Sequence, residues 1–393
     1  VNGLPIAGVA ASLDRLGTET AFGVLARAKE MEREGRSIIH LELGEPDFDT
    51  PSHIGEAAIA AIRDGHTRYT PAAGIPEFRK VVADHLSATR GIAVDEEQVL
   101  VAPGAKPFIF FTILATCDPG DEVIYPDPGF PIYHSAIRWS GAVPVPLPLR
   151  EDLDFAFDPE ELRVRLSTRS KLVILNSPHN PTGGLLSAAD VAAIAAVVAE
   201  SNAWVLSDEV YSRLCYDGDF ASVASHGDLV ERTVVLDGLS KTYAMTGWRC
   251  GYAAVPRALF EPLERFLINS TSCVPAFVQL AGVSALTGPQ GGAEDMRAEF
   301  RHRRHLVVEG LNELPGVSCR MPGGAFYAFP NVTQVPLSAD ELARRLLEEA
   351  GVAVLAGSAF GEAATGHLRV SYANSRANLV EALGRMSGFL DAL

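Results

Sequence analysis

The chain has 393 residues, 47% of them hydrophobic, and a formal net charge of −16. That length buries a large core and exceeds the usual single domain, so two domains are expected. The acidic balance argues against a general binder of nucleic acid or anionic membrane, and leaves room for a local cationic pocket. Cys117, Cys215, Cys250, Cys273 and Cys319 are dispersed with no CxxC pair, which suits free thiols in a reducing compartment. Residues 1–10 lack a basic region and do not read as a signal peptide. The apolar run at 108–117 is too short to span a membrane. A cytoplasmic protein is expected.

In chain order, residues 18–34 carry helical spacing, with Thr18 as the expected N-cap and Gly35 as the stop. A short strand at 38–43 leads into the turn-rich stretch Gly44-Glu45-Pro46-Asp47-Phe48-Asp49-Thr50-Pro51. Helices follow at 53–63 and 76–89, separated by a loop containing Tyr69. From residue 98 the pattern alternates. Strands are expected at 99–102, 123–125, 143–147, 172–176, 204–208, 234–237 and 252–255, with helices at 106–116, 131–140, 159–166 and 187–201. Short apolar strands alternating with helices imply an α/β fold, a mostly parallel sheet covered on both faces. Ligands in such sheets collect at the carboxyl ends of the strands. Long helices are expected at 257–272, 275–286 and 293–313. Short strands (326–329, 352–355, 368–371) and helices (339–350, 376–390) then suggest a smaller α+β domain, completed by the N-terminal helix. The expected division is 46–288 for the large domain and 1–45 plus 289–393 for the small one.

Chemistry is concentrated at expected strand ends. Lys241 lies just past the apolar strand 234–237, among small and hydroxylated residues, with Arg249 eight positions on. A lysine held away from water needs a partner or loses its proton, and a neutral lysine attacks carbonyls, although a surface lysine in a loop is the plain alternative. Pro103-Gly104-Ala105-Lys106 opens a helix whose free N–H groups favour a phosphate, although an ordinary strand–helix turn also explains it. The proline-stiffened loop Asn176-Ser177-Pro178-His179-Asn180-Pro181-Thr182-Gly183 aims Asn180 as a hydrogen-bond donor. Asp208 ends a buried strand and needs a cation or donors, or serves as a helix cap. Arg249 and Arg369 are further cations in apolar surroundings, with an ordinary ion pair as the plain alternative. The run Arg301-His302-Arg303-Arg304-His305 reads as a solvated helix face. No zinc spacing, Walker A loop, GxGxxG, GxSxG or HExxH is present, so no metal is expected.

In this order, Gly44-Glu45-Pro46-Asp47-Phe48, Tyr69 to Gly74, Asn180-Pro181-Thr182-Gly183, Asp208-Glu209-Val210-Tyr211, Ser240-Lys241, Thr246-Gly247-Trp248-Arg249 and Arg369 resemble the class I and II aminotransferases. These are pyridoxal 5′-phosphate enzymes of fold type I. The resemblance covers nearly the whole chain and implies a three-layer, mostly parallel seven-stranded sheet in a large cofactor-binding domain. It implies that Lys241 holds the cofactor as an internal aldimine and shuttles the substrate proton. Asp208 would pair with the ring nitrogen, and Asn180 and Tyr211 with the ring oxygen. Phe130 would stack on the ring. Gly104, Ala105, Lys106, Ser240 and Arg249 would hold the phosphate, joined by Tyr69 from the neighbouring subunit of a homodimer. Arg369 would take the substrate α-carboxylate as a bidentate pair, helped by Asn180 and the Gly44 backbone.

Three features depart from the family pattern. Gly238 stands where a hydroxyl residue is common, His179 where Asn is common, and Phe108, Phe110 and Phe111 add aromatic bulk near the phosphate helix. The expected function is transfer of the amino group of an α-amino acid to a 2-oxo acid. The alternatives are another reaction on the same cofactor, such as elimination, replacement, cyclisation or carbon–carbon bond formation, or a non-catalytic regulator. Phe22, Tyr69 and Phe130 hint at an apolar or aromatic substrate.

Overall fold

The computed structural model describes residues 8–393. Most of the 1–10 stretch weighed as a leader, and the first residues of the expected small domain, lie outside them.

Seven strands form one sheet: β1 (Val99–Ala102), β2 (Glu122–Asp127), β3 (Val143–Pro148), β4 (Ser170–Asn176), β5 (Trp204–Asp208), β6 (Thr233–Gly238) and β7 (Gly251–Ala254). Their order is β1-β7-β6-β5-β4-β2-β3. All pairs are parallel except those of β7, which runs antiparallel to β1 and β6. The link from β6 to β7, residues 239–250, holds only two short helical turns, Leu239–Thr242 and Thr246–Trp248. Neither turn is long enough to run back along the sheet as a crossover helix does, and the chain reverses here.

Alternating side chains fill both faces of the sheet. Leu100, Val123, Ile174, Leu206 and Val234 pack one way, in one core with Phe108, Ile137 and Leu263 from helices. Val101, Val235 and Tyr252 face the other way onto Phe78, Val82 and Ala281, while Val173 and Val205 face Ile194 and Val198. The result is the expected three-layer α/β architecture. The aromatic bulk at Phe108 and Phe111 belongs to this core, where Phe111 stacks on Phe266 with centroids 5.3 Å apart.

The remaining strands form two small sheets. Ile39–His40 pairs in parallel with Val352–Ala353, and Leu355–Ala356, Leu368–Ser371 and Tyr327–Ala328 form an antiparallel set. The strand expected at 352–355 is therefore split between two sheets, and the one at 38–43 shrinks to two residues. The helix expected at 339–350 is α-helical only over Ala339–Arg345 and passes into a π turn at Leu346–Ala350. Thr18 does not cap the first helix. That helix spans Thr20–Arg33 with Glu19 at the N-cap position, and no side chain makes a cap bond.

The 301–305 run is not a solvated face throughout. Arg303 and Arg304 are buried. Arg303 pairs with Asp47 at 2.6 Å and Glu299 at 2.9 Å, and Arg304 pairs with Asp217 and lies over the Tyr216 ring. Helical spacing marks which residues share a face, but not which distant carboxylates will cover it.

Behind the carboxyl ends of β5 and β6 lies a dry ionic cluster. Arg90 closes the helix Pro76–Arg90 and donates to Glu209 at 3.0 Å and to Asp237. It also donates to Ser212 at 2.5 Å. Burial pushes the Asp237 carboxyl up to about 6 despite the guanidinium. Removing one partner of such a cluster strands the others away from water. Arg90→Met is expected to cost about 3–5 kcal/mol of stability, read as a lower midpoint in urea unfolding.

Candidate active site

A cavity of about 500 Å³ opens over the carboxyl ends of β4, β5 and β6. Parallel register sets Asn176 beside Asp208 and Asp208 beside Leu236, so neighbouring strands deliver their last residues to one place. The chain then turns into Leu239–Thr242, and this short helix carries Lys241 into the cavity.

The Lys241 side chain keeps some exposure to the cavity. Its Nζ donates to the Gly44 carbonyl at 2.5 Å. Burial pulls the ammonium down to about 8, with Glu45 opposing and Arg369, Arg249 and Lys106 adding to the effect. Gly44 itself lies against the Tyr327 hydroxyl, where a Cβ would collide. The segment after Gly44 is held to the loop after Lys241 by Thr50, whose hydroxyl donates to the Ala244 carbonyl at 2.7 Å and accepts from Trp248 Nε1 at 3.1 Å.

Asp208 is buried, and burial pushes its carboxyl up to about 6. Tyr133 donates to Oδ2 at 2.6 Å, while Oδ1 has only a long 3.4 Å contact from the Val210 N–H. A carboxylate in that position is short of a cationic donor. Asn176 fixes the neighbouring loop: its Nδ2 donates to the Asp208 carbonyl at 2.9 Å, and its Oδ1 accepts from the Asn180 N–H at 3.0 Å. Tyr211 and Tyr327 share a hydroxyl–hydroxyl bond of 2.8 Å.

Arg369 is buried with no carboxylate partner among the described residues. It donates to Asn180 Oδ1 at 3.0 Å and to the Glu42 carbonyl, and lies between the Tyr327 and Phe360 rings at 4.6 and 4.8 Å. Its Nε is unpartnered. Arg249, in the left-handed region at φ 56°, is exposed and lines the same cavity. It donates only to carbonyls, Thr246 at 2.8 Å and Pro103 at 3.2 Å. Gly104, at φ 87°, lies flat against this guanidinium, and the helix Lys106–Thr116 starts beside it.

Of the residues singled out in the sequence, Phe22, Gly44, Ala105, Lys106, Phe130, Asn180, Asp208, Tyr211, Gly238, Ser240, Lys241, Arg249 and Arg369 line this one cavity. Gly104 supports its wall through Arg249. Tyr69 does not join it and is 93% exposed in the single chain. His179 turns away: its Nδ1 bonds Thr182 at 2.8 Å and it lines a separate small cavity beside Phe155 and Phe157. Gly238 packs on the next strand, where a Cβ would sit 3.1 Å from Gly251 Cα and 3.3 Å from the Cys250 carbonyl, so a side chain there crowds two backbone segments. Ile109, rather than a phenylalanine of the same helix, reaches the cavity. Sequence reading missed Glu19, Tyr133, Asn176 and Tyr327. Tyr133 follows Phe130 by one helical turn, a spacing that puts both on one face and was available as a signal.

A phosphorylated aldehyde with a protonated ring nitrogen fits this donor set. It meets a partly neutral amine, a carboxylate short of a cation, an aromatic wall, and a helix start beside an arginine that no carboxylate holds. The architecture and the cavity together define a pyridoxal-phosphate transferase of fold type I.

Comparison with known proteins narrows the class. The family model for aminotransferase class I and II matches residues 36–386. The chain is 38% identical to an aspartate aminotransferase of Pyrococcus horikoshii, with 93% of each chain covered. A solved aspartate aminotransferase from Rhizobium meliloti superposes with a TM-score of 0.93 at 38% identity, covering 98% of this chain and 99% of that one. A solved aromatic aminotransferase from Pyrococcus horikoshii superposes at 0.88, also at 38% identity, covering 94% and 99%. The chain belongs to the class I and II aminotransferases, and pyridoxal phosphate is its expected cofactor.

Lys241 reacts only as the free amine. Because its ammonium is held near 8, the free form grows as pH rises through that value. Trapping of Lys241 by a small aldehyde in cofactor-stripped protein is expected to speed up across that range. A rate that rises only near the ordinary lysine value would contradict the depressed pKa.

Proposed function

We propose that this cavity moves the amino group of an α-amino acid to a 2-oxo acid, with Lys241 as both the tether and the proton carrier. The observation that carries the reading is a depressed lysine and a buried, cation-hungry aspartate lining one cavity at adjacent strand ends. Pyridoxal phosphate, when bound, supplies an aldehyde for amines and a ring that withdraws electrons from the substrate Cα.

The chain's own groups do the rest. Asp208 would hold the proton on the ring nitrogen, with Tyr133 fixing its other oxygen. Asn180 and Tyr211 would donate to the ring oxygen, and Phe130 would cover the ring face. The N–H groups of Ala105 and Lys106, with Ser240 and Arg249, would bind the phosphate, and Gly104 lets it come close. Arg369 would grip the α-carboxylate, beside Asn180 and the Gly44 backbone. Once substrate has displaced it, Lys241 Nζ would take the proton from the substrate Cα and return it to the cofactor's C4′ carbon. The aromatic sandwich around Arg369 excludes water from the grip and strengthens it.

Tyr69 fits a second role. Its exposure in the single chain suits a side chain that reaches the phosphate of a neighbouring subunit, which makes the working unit a homodimer. The division into 46–288 and 1–45 plus 289–393 belongs to the same reading, with the cavity between the two parts. All five cysteines are free, consistent with a reducing, cytoplasmic setting. Among the described residues no helix is long and apolar enough to cross a membrane. The names of the relatives put aspartate among the donors to test.

The test is a half-reaction. An amino acid alone should discharge the visible colour of the holoenzyme, and a 2-oxo acid should restore it. Colour that no amino acid discharges would contradict amino transfer. Arg369→Leu should raise KM for the amino acid about 30-fold or more, as expected for losing a buried charge-assisted pair. The variant should still bind the cofactor in full.

A further inference from the structure

Four cationic side chains line the cavity: Lys106, Lys241, Arg249 and Arg369. In the proposed reaction Lys241 serves the cofactor, Arg249 the phosphate, and Arg369 the α-carboxylate. Lys106 alone remains for a charged substrate side chain. It is already taken. Its ammonium is ion-paired with Glu19, and it lies 5.3 Å from the centre of the Phe130 ring.

Glu19 is placed for this pairing. It occupies the N-cap position of the helix Thr20–Arg33, yet its carboxylate makes no cap bond. It points into the cavity instead, with 18% side-chain exposure against 40% for Lys106. From there it acts electrostatically on both Arg369 and Tyr327, so it faces the substrate end rather than the solvent. Ala21, Phe22, Leu43 and Ile109 give the same cavity apolar lining. Phe22 is 60% exposed in the single chain and offers apolar surface at the mouth.

We infer that the Glu19–Lys106 pair closes the side-chain subsite to a second carboxylate and selects amino acids with uncharged, apolar side chains. This rests on reading the cavity as an amino-acid site. The physical reason is a difference of two costs. A dicarboxylic substrate must break the pair and face the Glu19 carboxylate in a partly desolvated place. An apolar side chain leaves the pair intact and buries its surface against Phe22 and Ile109. A cationic side chain finds Glu19 already matched.

The experiment compares amino donors in the half-reaction of the holoenzyme. Phenylalanine, leucine and methionine represent the apolar class, aspartate and glutamate the acidic, and lysine the basic. In the wild type, kcat/KM for the best apolar donor should exceed that for aspartate and glutamate by about tenfold or more, the order expected for one repulsive charge at a half-buried site. Glu19→Gln and Glu19→Ser should each raise the aspartate-to-phenylalanine ratio by about tenfold, since Lys106 is then free. Glu19→Asp should keep the wild-type order. An acidic or basic donor that is best in the wild type overturns the inference, as does a ratio that Glu19→Gln leaves unmoved. If no donor discharges the colour although the cofactor is bound, amino transfer itself fails, and the selectivity with it.

Discussion

Everything in the site depends on a lysine amine kept where its charge is poorly solvated. Burial lowers Lys241 to about 8, and three nearby cations push in the same direction. The cost is contained because the nitrogen still has one good acceptor, the Gly44 carbonyl. That acceptor comes from a segment 197 residues earlier, tied to the loop after Lys241 through Thr50 and Trp248. Geometry and reactivity thus balance at one nitrogen: the Gly44 carbonyl positions the amine and steadies its charged form, while the burial around it lowers the pKa.

Opposite charges are handled in two ways around this centre. On the far side of the strand ends, Arg90, Glu209 and Asp237 satisfy one another in a dry cluster and need no ligand. On the cavity side, Asp208, Arg249 and Arg369 have hydrogen bonds but no counter-ion, and Arg369 keeps an unpartnered nitrogen. Groups held ready without their counter-ions are what an anionic and cationic ligand would need. Lys106 is the exception among the lining cations, since Glu19 pairs with it.

Much of this was legible in the sequence, for stated reasons. The seven strands stand out as short apolar runs between helices, four of them ending at Asp127, Asn176, Asp208 or Gly238. Lys241, Asp208 and Asn180 could be singled out because charged or amide groups at or just past strand ends need partners, and Arg369 because it is a cation in an apolar strand, while their roles came from the family resemblance. What stayed hidden depends on distant pairing. Tyr133 meets Asp208 from 75 residues away, Tyr327 meets Tyr211 from 116, and Glu19 meets Lys106 from 87. Arg303 and Arg304 were misread for the same reason, since their carboxylates lie on other elements. The antiparallel β7 was also out of reach, because apolar periodicity carries no direction.

The most direct measurement is the site of covalent attachment. The holoenzyme is reduced with borohydride, digested, and its peptides are weighed. A single cofactor-bearing peptide should contain Lys241, and Lys241→Ala should abolish it. Cofactor fixed to another lysine, or none fixed anywhere in a coloured preparation, would contradict the role given to Lys241.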